Sequence, residues 1–525
     1  MRITAINGRT GRPISGAALF AALFAGACSL LHAGTAMAEA ATLADAARTG
    51  DLQAIPQLLA TAADVDLPGQ DGTPALHWLV ERGECAAVRL LLEAGADPSQ
   101  QSRYGVAPLF LASANGDAEL IQMLVEAGAD PNAVDSVGET MLMAAVSSGE
   151  LAAVETLLDR GADVTARDRD YQQTALMFAA RAGLTEIAAR LISAGAEVDA
   201  RTRIGPEPRW VLPNSRPGFS FGVGIIRGGL PADRGMRPFQ SGGMTALLYA
   251  ARDGHTATVE LLLDQGADIN GTEANQITPL LMAVSNNRMA TAATLIERGA
   301  DLNAQDWYGR SPLWSAVNVR NLYLNNETFE NYIEREPVLD IIRLLLANGV
   351  DPNPRTTESP PVRNSHLPTT GTLEWVDFTG QTPFLSAALA GDLPVMHLLL
   401  EHGADPHIAT FGGTTPLMAA AGVNWVVSQT YTVSPEALLE AVKLCVELGM
   451  DVNAVNSMGI TAVMGAANRG SEGILEFLVN AGARLDVVDN EGRAPLQWAH
   501  GVFLATHPAE PKPGSVALIE RLLAR

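Results

Sequence analysis

Aromatic residues make up only 5% of this 525-residue chain, too few for the single bulky core its length would allow. Cysteine is scarcer: Cys28, Cys85 and Cys445 are the three. Cys85 and Cys445 stand far apart on apolar helical segments, and a disulfide needs Cα atoms within about 7 Å. Both are therefore expected as buried thiols. Positive charge is also short, with 35 basic against 58 acidic residues and a net charge of −23. Such a surface repels phosphate backbones and argues against general nucleic-acid binding. After the N-terminal segment no apolar run reaches the roughly 18 residues a membrane helix requires, so no transmembrane helix is expected in the mature chain. What remains is 47% hydrophobic and rich in Ala, Leu and Gly, an ordered composition suited to many small contacts.

Residues 1–38 read differently from the rest. Arg2, Arg9 and Arg12 form a basic start without an acid, "AALFAALFAGACSLL" supplies a short apolar run, and "AMA" precedes Glu39. This is the order of a cleaved export signal. A retained membrane anchor is the competing reading, but the run is short and weakened by Gly and Ala. Lipid attachment at Cys28 is the weaker alternative, because "AGA" before it lacks the expected Leu. Cleavage removes three Arg and no acid, leaving 32 basic against 58 acidic residues and a charge of −26. The expected destination is the periplasm or the medium.

From residue 41 onward the chain copies itself. "EAGADP" at 93–98 recurs at 126–131, and "DRGADV" follows at 159–164, each 33 residues on. Related turns stand at 193–198, 264–269, 297–302, 347–352, 401–406, 447–452 and 480–485. Upstream of each lies a second signal such as "TALMF" at 174, "TPLLM" at 278 or "TPLMA" at 415. Its Thr suits a helix N-cap, and Pro at the first helical position needs no N–H partner. Gly116, Gly149 and Gly183 can close the first helix in the left-handed conformation. Leu120, Ile121, Leu124 and Val125 have the spacing of a second helix that stops at the Gly of "GAD". The short polar segment before the next Thr forms a turn or hairpin.

This pattern resembles the ankyrin repeat in period and in its T-P-L-H-x-A signature. His77 is the one copy carrying the His, and Ala107 and Ala494 replace the Thr. The resemblance implies an all-α repeat solenoid of helix-turn-helix units with β-hairpin or turn fingers, about a dozen repeats including degenerate caps. Residues 39–200 and 244–525 are then N- and C-terminal repeat arrays, with end caps near 43–66 and 516–525. With its leader, the chain resembles exported bacterial ankyrin proteins.

The period breaks at 201–243, a Gly/Pro/Arg-rich insertion with seven Arg against Glu207 and Asp233. This loop can dock on its own acidic scaffold, stay a linker, or reach an acidic partner. Smaller insertions near 322–336 and 423–434 fall between the helices of their repeats, and one at 354–372 lies on the hairpin side. Scarce aromatics concentrate just before the Thr-equivalent positions, at Tyr104, Tyr171, Trp307, Tyr308, Phe378 and Phe411. In ankyrin-like scaffolds hairpin tips and first helices line the concave partner-binding surface. Exposed aromatics there are candidate anchors for a protein partner, although a tip aromatic can also simply stack on the next hairpin.

Catalytic motifs fail on context. "GFSFG" at 218–222 matches G-x-S-x-G around Ser220 but has no following helix and no room for a hydrolase sheet. "GVGIIRG" at 222–228 has the wrong spacing for a dinucleotide loop. His397, His402 and His407 recur every five residues, whereas ligands sharing a helix face want three or four. No catalytic residue, cofactor or metal is expected. The expected function is a non-catalytic exported scaffold for protein–protein binding, of unassigned oligomeric state. The alternatives are a ligand-binding or enzymatic accessory protein using 201–243, and a secreted factor acting on another cell.

Overall fold

A computed structural model describes residues 42–61, 64–205, 240–321, 334–357, 376, 379–425, 432–502 and 509–524. Residues 1–38, Ser220, Phe378, most of the 201–243, 322–336 and 354–372 insertions and half of 423–434 lie outside these residues. Among the described residues there are 24 α-helices and no strand, with two isolated antiparallel bridges, Val134–Thr140 and Arg167–Thr174. The all-α repeat solenoid class therefore stands, and its fingers are turns rather than extended hairpins.

The chain divides into two compact units, Met1–Arg203 with Gly242–Asp268, and Ile204–Ser241 with Ile269–Arg525. In the first unit, the first helices Ala75–Glu81, Pro108–Asn115, Met141–Ser148, Ala175–Ala182 and Ala246–Asp253 pack one on the next. The second helices Cys85–Glu93, Ala118–Glu126, Leu151–Asp159, Thr185–Ser193 and Thr256–Asp264 form a parallel row behind them. Met141–Ser148 buries six residues whereas Leu151–Asp159 buries only Ala153, Val154 and Leu157. First helices are thus covered on both sides by neighbours, and second helices keep a polar outer face. The second unit repeats the scheme from Pro279–Ser285 to the terminal helix Pro513–Leu523.

Local chemistry sets the boundaries. Thr140, Thr174, Thr245, Thr278, Thr382 and Thr415 each accept the backbone N–H three residues on. Where Ala494 lacks that oxygen, Gln497 Oε1 instead accepts the Ala494 N–H at 2.9 Å. Gly116 and Gly183 end their helices at φ 72° and 71°, in the region that only glycine enters cheaply. His77 is buried, its Nε2 lies 2.9 Å from the Val106 carbonyl, and burial holds its pKa below the ordinary value. Cys445 is buried and its thiol is pushed up to about 12 by desolvation. Cys85 departs from expectation: it opens a second helix and is only half-buried. Both thiols are free.

Repeats are also joined by polar groups. Asn132 accepts the Asp163 N–H at 2.7 Å and donates to the Gly161 carbonyl at 3.0 Å, crossing to the next "GAD" turn. Asn453 does the same with Arg484 N at 2.8 Å and Gly482 O at 3.0 Å. Replacing Asn132 by Ala removes both bonds and strands the Asp163 amide. We expect a loss of about 1–2 kcal/mol in urea unfolding, with near-zero change indicating that water replaces the side chain fully.

Candidate interaction surface

The fingers are pinned from within. Asp135 Oδ1 accepts the N–H groups of Val137 and Glu139 at 3.0 and 2.8 Å, closing a tight loop around Gly138. Asp168 holds Tyr171 and Gln173 at 2.8 and 3.1 Å, and Asp306 holds Tyr308 and Arg310 at 3.0 and 2.9 Å. Backbone bonds then run sideways between fingers. In the first unit Arg103 N donates to Gly72 O at 3.1 Å and Arg203 N to Tyr171 O at 2.8 Å. In the second, Trp307 N donates to Asn275 O at 3.0 Å, Thr357 N to Tyr308 O at 2.9 Å and Phe411 N to Thr379 O at 2.8 Å. These bonds fix each tip before any partner arrives.

The 201–243 insertion springs from such a finger. Thr202 N donates to Met244 O and Met244 N to Thr202 Oγ1, each at 2.9 Å, so its base closes as the other fingers do. The 354–372 insertion has the same root: Thr356 N donates to Gln381 O at 3.1 Å and Gly380 N to Thr356 O at 2.7 Å.

The candidate aromatics separate into exposed and covered. Tyr104, Tyr171 and Phe411 keep 40%, 66% and 53% of their surface open. Val137, at the equivalent tip between the two tyrosines, is 58% exposed and, not being aromatic, carries no such signal in the sequence. Tyr308 differs: it is 5% exposed, with Arg310 lying 5.2 Å from its ring centroid and the 357 amide bonded to its carbonyl. Trp307 is half-buried. The expectation of exposure is thereby corrected for Tyr308, whose finger lies against the 355–357 backbone of the next one. Arg355 stacks 4.2 Å from the Phe411 ring centroid while bonding Gly380 and Ala409 carbonyls at 3.2 and 2.7 Å.

A second set of residues on the first helices escaped the sequence reading. "FAAR" at 178–181 and "YAAR" at 249–252 occupy the same repeat position on adjacent helices. Arg181 lies 5.2 Å from the Phe178 centroid and Arg252 5.0 Å from that of Tyr249. Gln173 Nε2 donates to the Tyr249 hydroxyl at 2.7 Å, tying finger to helix. The i, i+3 repetition was legible, but the insertion between the two copies hides their adjacency.

Glu139 faces this area. Burial lifts its pKa from 4.5 to about 7, the Asp135 carboxylate adds to the rise, Arg181 opposes it and Asp168 contributes a little more. Among the described residues no three His, Cys, Asp or Glu side chains gather as a metal-binding group. His402 Nδ1 lies 2.9 Å from its own helix's Leu398 carbonyl. No described helix is long and apolar enough to cross a membrane.

The repeated geometry defines a class of protein, a stacked-repeat scaffold with a row of presented fingers. The chain belongs to the ankyrin-repeat family: "Ankyrin repeats (3 copies)" matches residues 43–135, 109–202, 230–306 and 247–327, and "Ankyrin repeat" matches 379–408. It is similar to the neurogenic locus notch homolog protein 1 of Mus musculus, Homo sapiens and Cricetulus griseus. Each is 33% identical over 126 residues, covering 24% of this chain and 4% of the relative.

Two outcomes test this description. Tyr308→Ala should cost about 3–5 kcal/mol as a buried ring is lost, while Tyr104→Ala should stay within about 0.5 kcal/mol; equal losses would show that both rings are packed. Glu139 holds its proton more tightly folded than unfolded, so stability falls as pH rises from about 4.5 to about 7, and the penalty is complete above that. Because Glu139 keeps part of its hydration, Glu139→Gln should gain about 1–3 kcal/mol at pH 8 and nothing at pH 4. A gain equal at both pH values in thermal melts would refute the assignment.

Proposed function

We propose that this chain is a non-catalytic, exported scaffold that binds protein partners through its finger tips and first-helix face. The observation that carries the reading is the exposure of Tyr104, Tyr171 and Phe411 on tips already held by backbone bonds. Side chains fixed in advance lose little entropy on association, and aromatic anchors contribute most where water is excluded around them. Ankyrin repeats generally mediate protein–protein interaction, and the chain's stacking gives each tip a different neighbour and hence a different address. Export is supported by the order of charge, apolar run and "AMA" in residues 1–38.

Cross-linking the native protein in its extracytoplasmic fraction and capturing it should yield a recurrent partner. Changing Tyr104, Tyr171 and Phe411 together to Ala should cut recovery at least tenfold, the scale expected for losing interface anchors, while the melting temperature holds. Recovery unchanged by the triple variant would exclude the tips as the docking surface. Absence of any partner would remove the scaffold reading, and a native N-terminus other than Glu39 would remove the proposed cleavage.

A further inference from the structure

Arginine supplies nearly all of this chain's positive charge, for lysine occurs only at Lys443 and Lys512. In the first unit the arginines sort by position. Arg89 meets Glu119 at 3.5 Å, Arg160 meets Glu126 at 2.6 Å and Arg190 meets Asp159 at 3.1 Å, all along the second helices and the turns that follow them. Arg48 and Arg167 are paired as well, with Asp45 at 3.6 Å and Glu197 at 3.1 Å. Arg82 donates to the Arg48 carbonyl at 2.6 Å.

The finger tips and the first-helix face are treated otherwise. Arg103, Arg169 and Arg203 sit on tips, Arg181 on a first helix, and all four are exposed. Among the described residues none of the four has a carboxylate within ion-pair distance. Arg103 lies 4.6 Å from the Tyr104 centroid and donates to its hydroxyl. Arg169 and Arg203 donate to finger carbonyls, Ser136 and Arg169 respectively, each at 3.3 Å. Arg252 is paired with Asp253 at 2.9 and 2.7 Å, whereas Arg181, beside the rings of Phe178 and Tyr249, makes no ion pair among the described residues. Gln173 of the 168–174 finger donates to the hydroxyl of Tyr249 on the helix next to that of Arg181 at 2.7 Å, so helix and tips belong to one surface.

Six arginines of the first unit pair with carboxylates, whereas these four exposed ones, like Arg82, bond carbonyls or rings instead, which gives this face an electrostatic preference. Guanidinium groups stacked on rings keep their charge and still present N–H edges suited to a carboxylate. A segment laid over the exposed apolar tips between them would exclude water and strengthen such contacts. We propose that this face of the first unit receives an acidic, extended polypeptide segment of a partner protein, with its carboxylates on Arg103, Arg169 and Arg181 and its apolar side chains on Tyr104, Val137 and Tyr171. The proposal rests on the scaffold reading and names the chemistry of its partner. A nucleic acid carries a dense line of phosphates that the surrounding body, at −23, repels, whereas a short segment brings a few carboxylates to the arginines alone.

The test is to pan a random 16-residue display library against the full chain and remeasure recovered peptides by fluorescence anisotropy. Recovered sequences should be net negative with interspersed apolar residues, and their Asp/Glu→Asn/Gln counterparts should bind at least tenfold more weakly. Arg103→Gln with Arg181→Gln should weaken the acidic peptides by a similar factor at unchanged melting temperature, and raised salt should weaken them further. The second-helix control Arg89→Gln should stay within twofold. Neutral or basic recovered sequences, or acidic ones indifferent to the double variant, would overturn the acidic-segment proposal while leaving a captured native partner to support the scaffold. A dimer in sedimentation that the double variant dissolves would assign the face to a second copy and overturn it too.

Discussion

No single repeat of this chain can bury its own apolar surface, and everything else follows from that constraint. A helix pair such as Pro108–Asn115 with Ala118–Glu126 has Leu109, Ala112, Leu120, Ile121 and Leu124 to hide. Only the helices before and behind can cover them. The hydrophobic effect therefore acts between repeats, and the small residues of the first helices permit the close approach that stacking needs.

Stacking in turn brings polar groups of successive repeats into register. Asn132 and Asn453 reach the next "GAD" turn, and finger backbones bond sideways. These bonds contribute modestly to stability one at a time, but they fix orientation, which apolar contacts do not. A tip residue such as Tyr171 is consequently presented by a backbone bonded through both its N–H and its carbonyl. Preorganisation of this kind is what a binding surface requires and what a solitary loop lacks.

Charge is distributed with the same logic. In the first unit the arginines of the second helices and their following turns face carboxylates of the neighbouring repeat, in exposed pairs that add little stability. The finger side keeps Arg103, Arg169, Arg181 and Arg203 without such partners among the described residues, beside exposed rings. A net charge of −23 thus conceals a local surface of opposite preference, invisible to composition and visible only when the arginines are sorted by place.

The sequence by itself determined the period, the helix pairs, the Thr caps and the glycine stops, because each depends on residues within a few positions of one another. Gly183 and Thr174 act through local backbone conformation and hydrogen bonding, so their roles are written locally. Tertiary structure alone decided which tips stay open. Tyr104 and Tyr308 each precede the finger glycine, yet one is 40% and the other 5% exposed. The difference lies in the next finger, whose Thr357 amide bonds to the Tyr308 carbonyl and whose backbone crowds Gly309. Likewise "FAAR" and "YAAR" become one surface only because the stack ignores the insertion between them. Burial and adjacency are properties of neighbours, and neighbours are chosen by packing.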